Sequence, residues 1–69
     1  VEEIDMAAVY RIKVSNPYDT WMVEIVADDE RTARLQAAHA HCSSIKGAKL
    51  VEVVDSDYHG EFYTKGERI

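Results

Sequence analysis

One cysteine, one proline and three glycines in 69 residues leave this chain few covalent or conformational devices. With Cys42 alone no intrachain disulfide can form, an economy that fits a reducing, cytoplasmic setting. No apolar run approaches the roughly 20 residues that cross a bilayer, so no membrane association is expected. No signal peptide is visible, although a first residue of Val leaves a trimmed leader open. Basic side chains are also scarce: eight Lys and Arg stand against thirteen Asp and Glu, a formal charge of -5. That balance disfavours nonspecific attachment to a phosphate backbone, which needs concentrated Lys and Arg.

What remains is the composition of a folded globule, 46% hydrophobic and 30% charged. A chain this short buries only about 60% of its extended surface, so the core is small and stability modest. One domain over residues 1–69 is expected, with 1–6 and 65–69 peripheral. The acids gather in three places: Glu2, Glu3 and Asp5; Asp28, Asp29 and Glu30; Asp55, Asp57 and Glu61. Solubility explains such clusters most simply. The sharper reading is an acidic surface for a basic partner, such as a nucleic-acid-binding protein whose site it occludes.

Residues 8–14 (AVYRIKV) and 21–27 (WMVEIVA) alternate as two strands joined by the turn formers Ser15-Asn16-Pro17-Tyr18-Asp19-Thr20. Setting Val14 opposite Trp21 pairs Ile12 with Val23 and Tyr10 with Ile25, one apolar face. The same register puts Arg11 opposite Glu24 on the other face, worth about 0.2–1 kcal/mol and useful mainly as register information. That second face also keeps Val9, Met22 and Val26, more apolar than a half-solvated sheet usually shows.

From Asp29 to about Ile45 the spacing predicts a helix, capped by Asp28 or Asp29 and stopped at Gly47. Leu35, Ala38, Cys42 and Ile45 form its expected core stripe; Ala33, Ala37, Ala40 and Ser44 lie opposite, small enough for another surface to approach. Residues 50–54 (LVEVV) read as a third strand, with Val51 and Val53 toward the helix and Leu50, Glu52 and Val54 away. A short last strand is expected over His59–Thr64, before a polar tail from Lys65. The fold class is α+β: a ββαβ(β) domain with one helix on a three- or four-stranded, mainly antiparallel sheet. Strand one is expected in the centre, since strand three can then join it antiparallel.

Over roughly residues 8–55, a hairpin leads through the acidic cap of AlaAspAspGluArgThrAla (27–33) into a helix, and a valine-rich strand returns. This layout resembles small accessory domains of bacteriophages and other mobile elements. The resemblance is architectural; it implies a noncatalytic partner or inhibitor of a host protein.

Chemical motifs are weak. His39 and His41 are two apart on a helix and point about 200° from one another, and His39 with Cys42 gives two ligands, too few for structural zinc. Cys42 on a core stripe behaves as a small hydrophobe, with no elbow to present it as a nucleophile. Asp55-Ser56-Asp57-Tyr58-His59-Gly60 imitates the start of a calcium loop, but Gly66 stands where the bidentate Glu belongs. No enzyme, metal or cofactor is therefore expected. The aromatics of a nucleic-acid platform would need basic neighbours, and Glu24 and Glu52 offset Arg11 and Lys13.

The expected function is a small protein-interaction domain, possessing an acidic surface and either a foreign partner or a second copy of itself. The contact candidates are Val9, Met22, Val26, Leu50 and Val54 on the second sheet face, Tyr18 in the turn, Asp28, Asp29 and Glu30, and Phe62 and Tyr63 near the end. The alternative is a nucleic-acid-binding accessory domain using Arg11, Lys13, Lys46 and Lys49.

Overall fold

The computed structural model describes residues 7–41 and 43–69. The arm at 1–6, with its acids Glu2, Glu3 and Asp5, and the side chain of Cys42 lie outside the described residues. The chain runs β1 (Ala7–Ser15), β2 (Thr20–Ala27), α1 (Glu30–Ala40), a single 3-10 turn (Ile45–Gly47), β3 (Ala48–Tyr58) and β4 (Thr64–Arg68). One helix packs on a four-stranded antiparallel sheet of order β3-β1-β2-β4, with β1 inside as expected.

The hairpin register is the one the alternation implies: Val14 opposite Trp21, Ile12 opposite Val23, Tyr10 opposite Ile25 and Arg11 opposite Glu24. Its turn is organised by Asn16, whose Oδ1 accepts from the backbone N–H of Tyr18 and of Asp19, both at 2.8 Å. The Asn16 amide nitrogen donates to the carbonyl of His41 at 2.8 Å, tying the turn to the end of α1. A side chain that mimics backbone in a turn has here a second task in tertiary structure.

The helix differs from its sequence pattern in length and in buried face. Asp29 is the N-cap, extended at φ -152° and ψ 172°, with its Oδ1 accepting from Thr32 N–H at 2.7 Å. That bond holds its carboxyl below the ordinary aspartate range. The buried residues are Ala33, Ala37 and Ala38, whereas Leu35 is 49% exposed. The expected stripe is thus displaced toward the alanine side. Alanines let the helix lie close on a sheet face already filled by Ile12, Val14, Val23 and Ile25.

α1 ends at Ala40, not Ile45. Ser43 diverts the chain: its N–H donates to the Ala38 carbonyl at 2.9 Å and its hydroxyl to the Ser15 carbonyl at 2.7 Å. Gly47 is consequently not the helix stop. A Cβ there would lie 2.6 Å from Ser15 O and closer still to Ser43 Oγ, so glycine is required by close approach to the hairpin.

β3 is longer than expected and its pairing with β1 is interrupted. Leu50 faces Ile12, Glu52 faces Arg11, Val53 faces Tyr10 and Asp55 faces Val9, which leaves Val51 and Val54 as extra residues at register shifts. A bulge sets two residues against one and breaks strict alternation. Leu50 therefore packs on the helix-side core, not on the opposite face, and Val51 is half exposed. The last strand is Thr64–Arg68, later than the expected His59–Thr64; what reads as a polar tail adds to the edge of β2.

Two buried clusters result among the described residues. The main one joins Tyr10, Ile12, Val14, Val23 and Ile25 to the helix alanines and Ala48, with Trp21 and Leu50 at its margin. On the other face of the sheet, Ala7, Val9 and Val26 form a satellite cluster covered by Tyr58 and Tyr63.

Candidate protein-interaction surface

The outer face of the sheet is built in rows that follow the register. At one end Asp55, Val9 and Val26 run across β3, β1 and β2. Val9 and Val26, expected as open contact residues, are buried there. The connection between β3 and β4 folds over them: Tyr63 accepts the Val26 N–H at its carbonyl at 3.1 Å, and its ring meets Tyr58 edge-on at 6.1 Å between centroids. A loop of unremarkable composition thus removes two residues from the surface.

The next row is ionic, running Glu52, Arg11, Glu24 and Lys65 from β3 to β4. Arg11 bridges Glu24 at 3.6 Å and also bonds Glu52. Tyr63 Oη donates to Glu24 Oε2 at 2.7 Å, and Lys65 Nζ stands 5.4 Å from the Tyr63 ring centroid. The Tyr63 bond, assisted by Lys65 and Arg11, holds the Glu24 carboxyl below its ordinary range. Acceptance by that carboxylate pushes the Tyr63 phenol up to about 12. Arg11 is therefore committed to carboxylates, which weakens its candidacy as a phosphate contact.

The third row sets Lys49 opposite Lys13, then Met22 and Glu67. Met22 is half-buried in a shallow depression shared with Arg11, Glu24, Lys65 and Glu67. Like charges directly across a strand pair are unfavourable, and neither lysine has an ion-pair partner among the described residues.

The other candidates are scattered. Tyr18 is exposed at the hairpin tip, at the far end of the sheet from Asp28 and Glu30. Asp28 and Glu30 are exposed, and Glu30 pairs with Arg34 at 3.7 Å. Phe62 is exposed while Tyr63 is half-buried against the satellite cluster. Val54 is exposed at its bulge in β3. One end of the sheet does gather charge: Ala27 lies opposite Ala8, Asp55 opposite Val9 and Tyr58 opposite Ala7, so Asp28–Glu30 and Asp55–Asp57 flank the start of β1 from both sides.

Beside α1, Leu35, Ala38, Ser43 and Ile45 line a shallow apolar groove of about 380 Å³. The histidines serve separate contacts. His41 stacks on Trp21 at 4.6 Å and lies against Gly66, His39 is exposed, and His59 Nε2 pairs with Asp57 Oδ1 at 3.1 Å. Among the described residues no three His, Cys, Asp or Glu converge as metal ligands, and no helix is long and apolar enough to cross a membrane. Asp55 and Asp57 sit in a strand, with Asp55 Oδ1 accepting the Asp57 N–H at 3.0 Å, which is not the geometry of a calcium loop.

The surface that sequence reasoning passed over is the free edge of β3. Val51, Val53 and Val54 are 50%, 45% and 44% exposed along it. Its signal lies in the order of residues 49–55, KLVEVVD, where two apolar pairs flank a central acid between ends of opposite charge. No family model, curated protein or solved structure matches this chain.

Proposed function

We propose that the chain is a small noncatalytic protein-interaction domain that meets a basic partner at its acidic end, in the manner of a phage or mobile-element accessory protein occupying a host factor. The observation that carries this reading is that Asp28 and Glu30, beyond the end of β2, and Asp55 and Asp57, in β3, flank the start of β1 at one end of the sheet. Phe62, exposed on the loop that covers the satellite cluster, supplies an aromatic anchor of the type that concentrates binding energy. Acidic groups around such an anchor steer a basic surface and raise its association rate. Arg11, tied to Glu24 and Glu52, and a net charge of -5 argue against a phosphate-binding role.

The test is capture of a partner from the native cell, followed by titration of the purified pair by calorimetry. Reversing Asp28 and Glu30 to Lys, with the Asp29 cap left intact, is expected to weaken binding by tenfold or more and to flatten its salt dependence. Unchanged affinity would refute the acidic contact. A parallel titration with DNA and RNA at about 0.1 M salt distinguishes the alternative, since a nucleic-acid binder would show a steep salt dependence there.

A further inference from the structure

We propose that the outer edge of β3 is a homodimerisation edge, on which a second copy pairs its own β3 antiparallel about a twofold axis at Glu52. The two edges of this sheet differ sharply. β4 is five residues, TKGER, exposed throughout and rich in charge, the usual protection of an edge. β3 is eleven residues long and carries Leu50, Val51, Val53 and Val54 beside backbone groups that no described strand takes up. Its bulges twist the strand and disfavour indiscriminate pairing, so an occupant must match this particular row.

The row matches itself. Antiparallel pairing about Glu52 sets Lys49 opposite the second copy's Asp55, Leu50 opposite Val54 and Val51 opposite Val53. Lys49 and Asp55 project from the same face, as a cross-strand pair requires: Lys49 lies opposite exposed Lys13, and Asp55 opposite Val9 of the outer cluster. Twofold symmetry makes that ion pair twice. It also relieves the apposition of Lys49 with Lys13, which has no counter-charge among the described residues of one chain. At the axis Glu52 meets Glu52, but each carboxylate already holds its own Arg11. The product is a continuous eight-stranded sheet, the self-paired form of strand addition to an exposed edge. It engages Asp55 of the acidic end and leaves Asp28, Glu30 and Asp57 for any partner there.

Sedimentation velocity of the full chain from about 5 to 500 µM tests it. The expected result is a monomer–dimer equilibrium within that range. Lys49→Glu should weaken the dimer about tenfold, because two like-charge contacts replace two ion pairs. Asp55→Lys should do the same, and the double variant should return to within about threefold of the original affinity. At a concentration low enough that the parent is itself monomeric, Lys49→Glu should melt no lower than the parent, since it removes the Lys13–Lys49 apposition, which separates dimer loss from damage to the fold. A monomer at every concentration would overturn the proposal and leave β3 to a foreign strand. A dimer indifferent to both reversals, or one the double variant does not restore, would overturn it by placing self-association on another surface. None of these results depends on Asp28 and Glu30, so the acidic contact stands or falls separately.

Discussion

Exchanging the roles of Leu35 and Ala37 is the most telling perturbation of the fold. Leu35 is 49% exposed, so Leu35→Ala removes apolar surface that is only half withdrawn from water. Full burial of a leucine contributes about 1.5–3 kcal/mol, which puts the loss near 1 kcal/mol, partly offset by the better helix propensity of alanine. Were Leu35 a core residue, truncation would cost about 2–5 kcal/mol. Ala37 is wholly buried against the sheet, and Ala37→Leu forces a larger side chain into a packed interface. Overpacking of that kind costs about 1–3 kcal/mol or more. A domain of 69 residues has on the order of 3–10 kcal/mol in total, so the second variant should shift the unfolding midpoint far more than the first. Urea unfolding followed by Trp21 fluorescence reads both, since Trp21 packs on His41 at the end of the helix. A costly Leu35→Ala with a neutral Ala37→Leu would refute the alanine-face packing.

Gly47→Ala should destabilise by about 1–3 kcal/mol, because its Cβ would meet the Ser15 carbonyl at 2.6 Å; an unchanged thermal midpoint would contradict that close approach. Asn16→Ala removes acceptors from two backbone N–H groups and a donor from the His41 carbonyl, with an expected loss of about 1–3 kcal/mol by chemical denaturation. Tyr63→Phe should cost about 1 kcal/mol at neutral pH and change the pH profile at both ends. Glu24 has a lowered folded pKa, so its contribution is present above the ordinary value of about 4.3 and is lost as pH falls through the folded value. Tyr63 has a raised one, so its contribution is present below about 10 and is lost as pH rises through about 12. Denaturation titrations across both windows should show the variant flatter than the parent; parallel profiles would remove Tyr63 from the network.

The hairpin was legible because two independent patterns coincide in it: alternation sets Ile12 against Val23, and charge sets Arg11 against Glu24. β3 was legible as a strand antiparallel to β1 but not in its facing, because its bulges at Val51 and Val54 put successive valines out of phase with any period of two. The helix misled for a different reason. Hydrophobicity ranks Leu35 above Ala37, but close packing on the filled sheet face decides which side turns inward, and there the buried residues are alanines. β4 gives no apolar signal at all, since its strand state comes from backbone pairing with β2. Of the contact candidates, Val9 and Val26 were lost to Tyr58 and Tyr63, a covering made by residues about 30 to 50 positions away in the chain, which no local pattern carries. Leu50 left the outer face through the shifted register of β3, the same strand that supplies the free edge.

That edge is where fold and proposed association meet, and its register about Glu52 can be read directly. In a sample mixing isotope-labelled with unlabelled chains, filtered NOE spectra report only contacts between copies. Cross-peaks between Val51 of one copy and Val53 of the other, with Leu50 to Val54 beside them, are the expected result. Intermolecular peaks confined to Met22, Leu35 or Ile45, or none at a concentration where the chain sediments as a dimer, would contradict it.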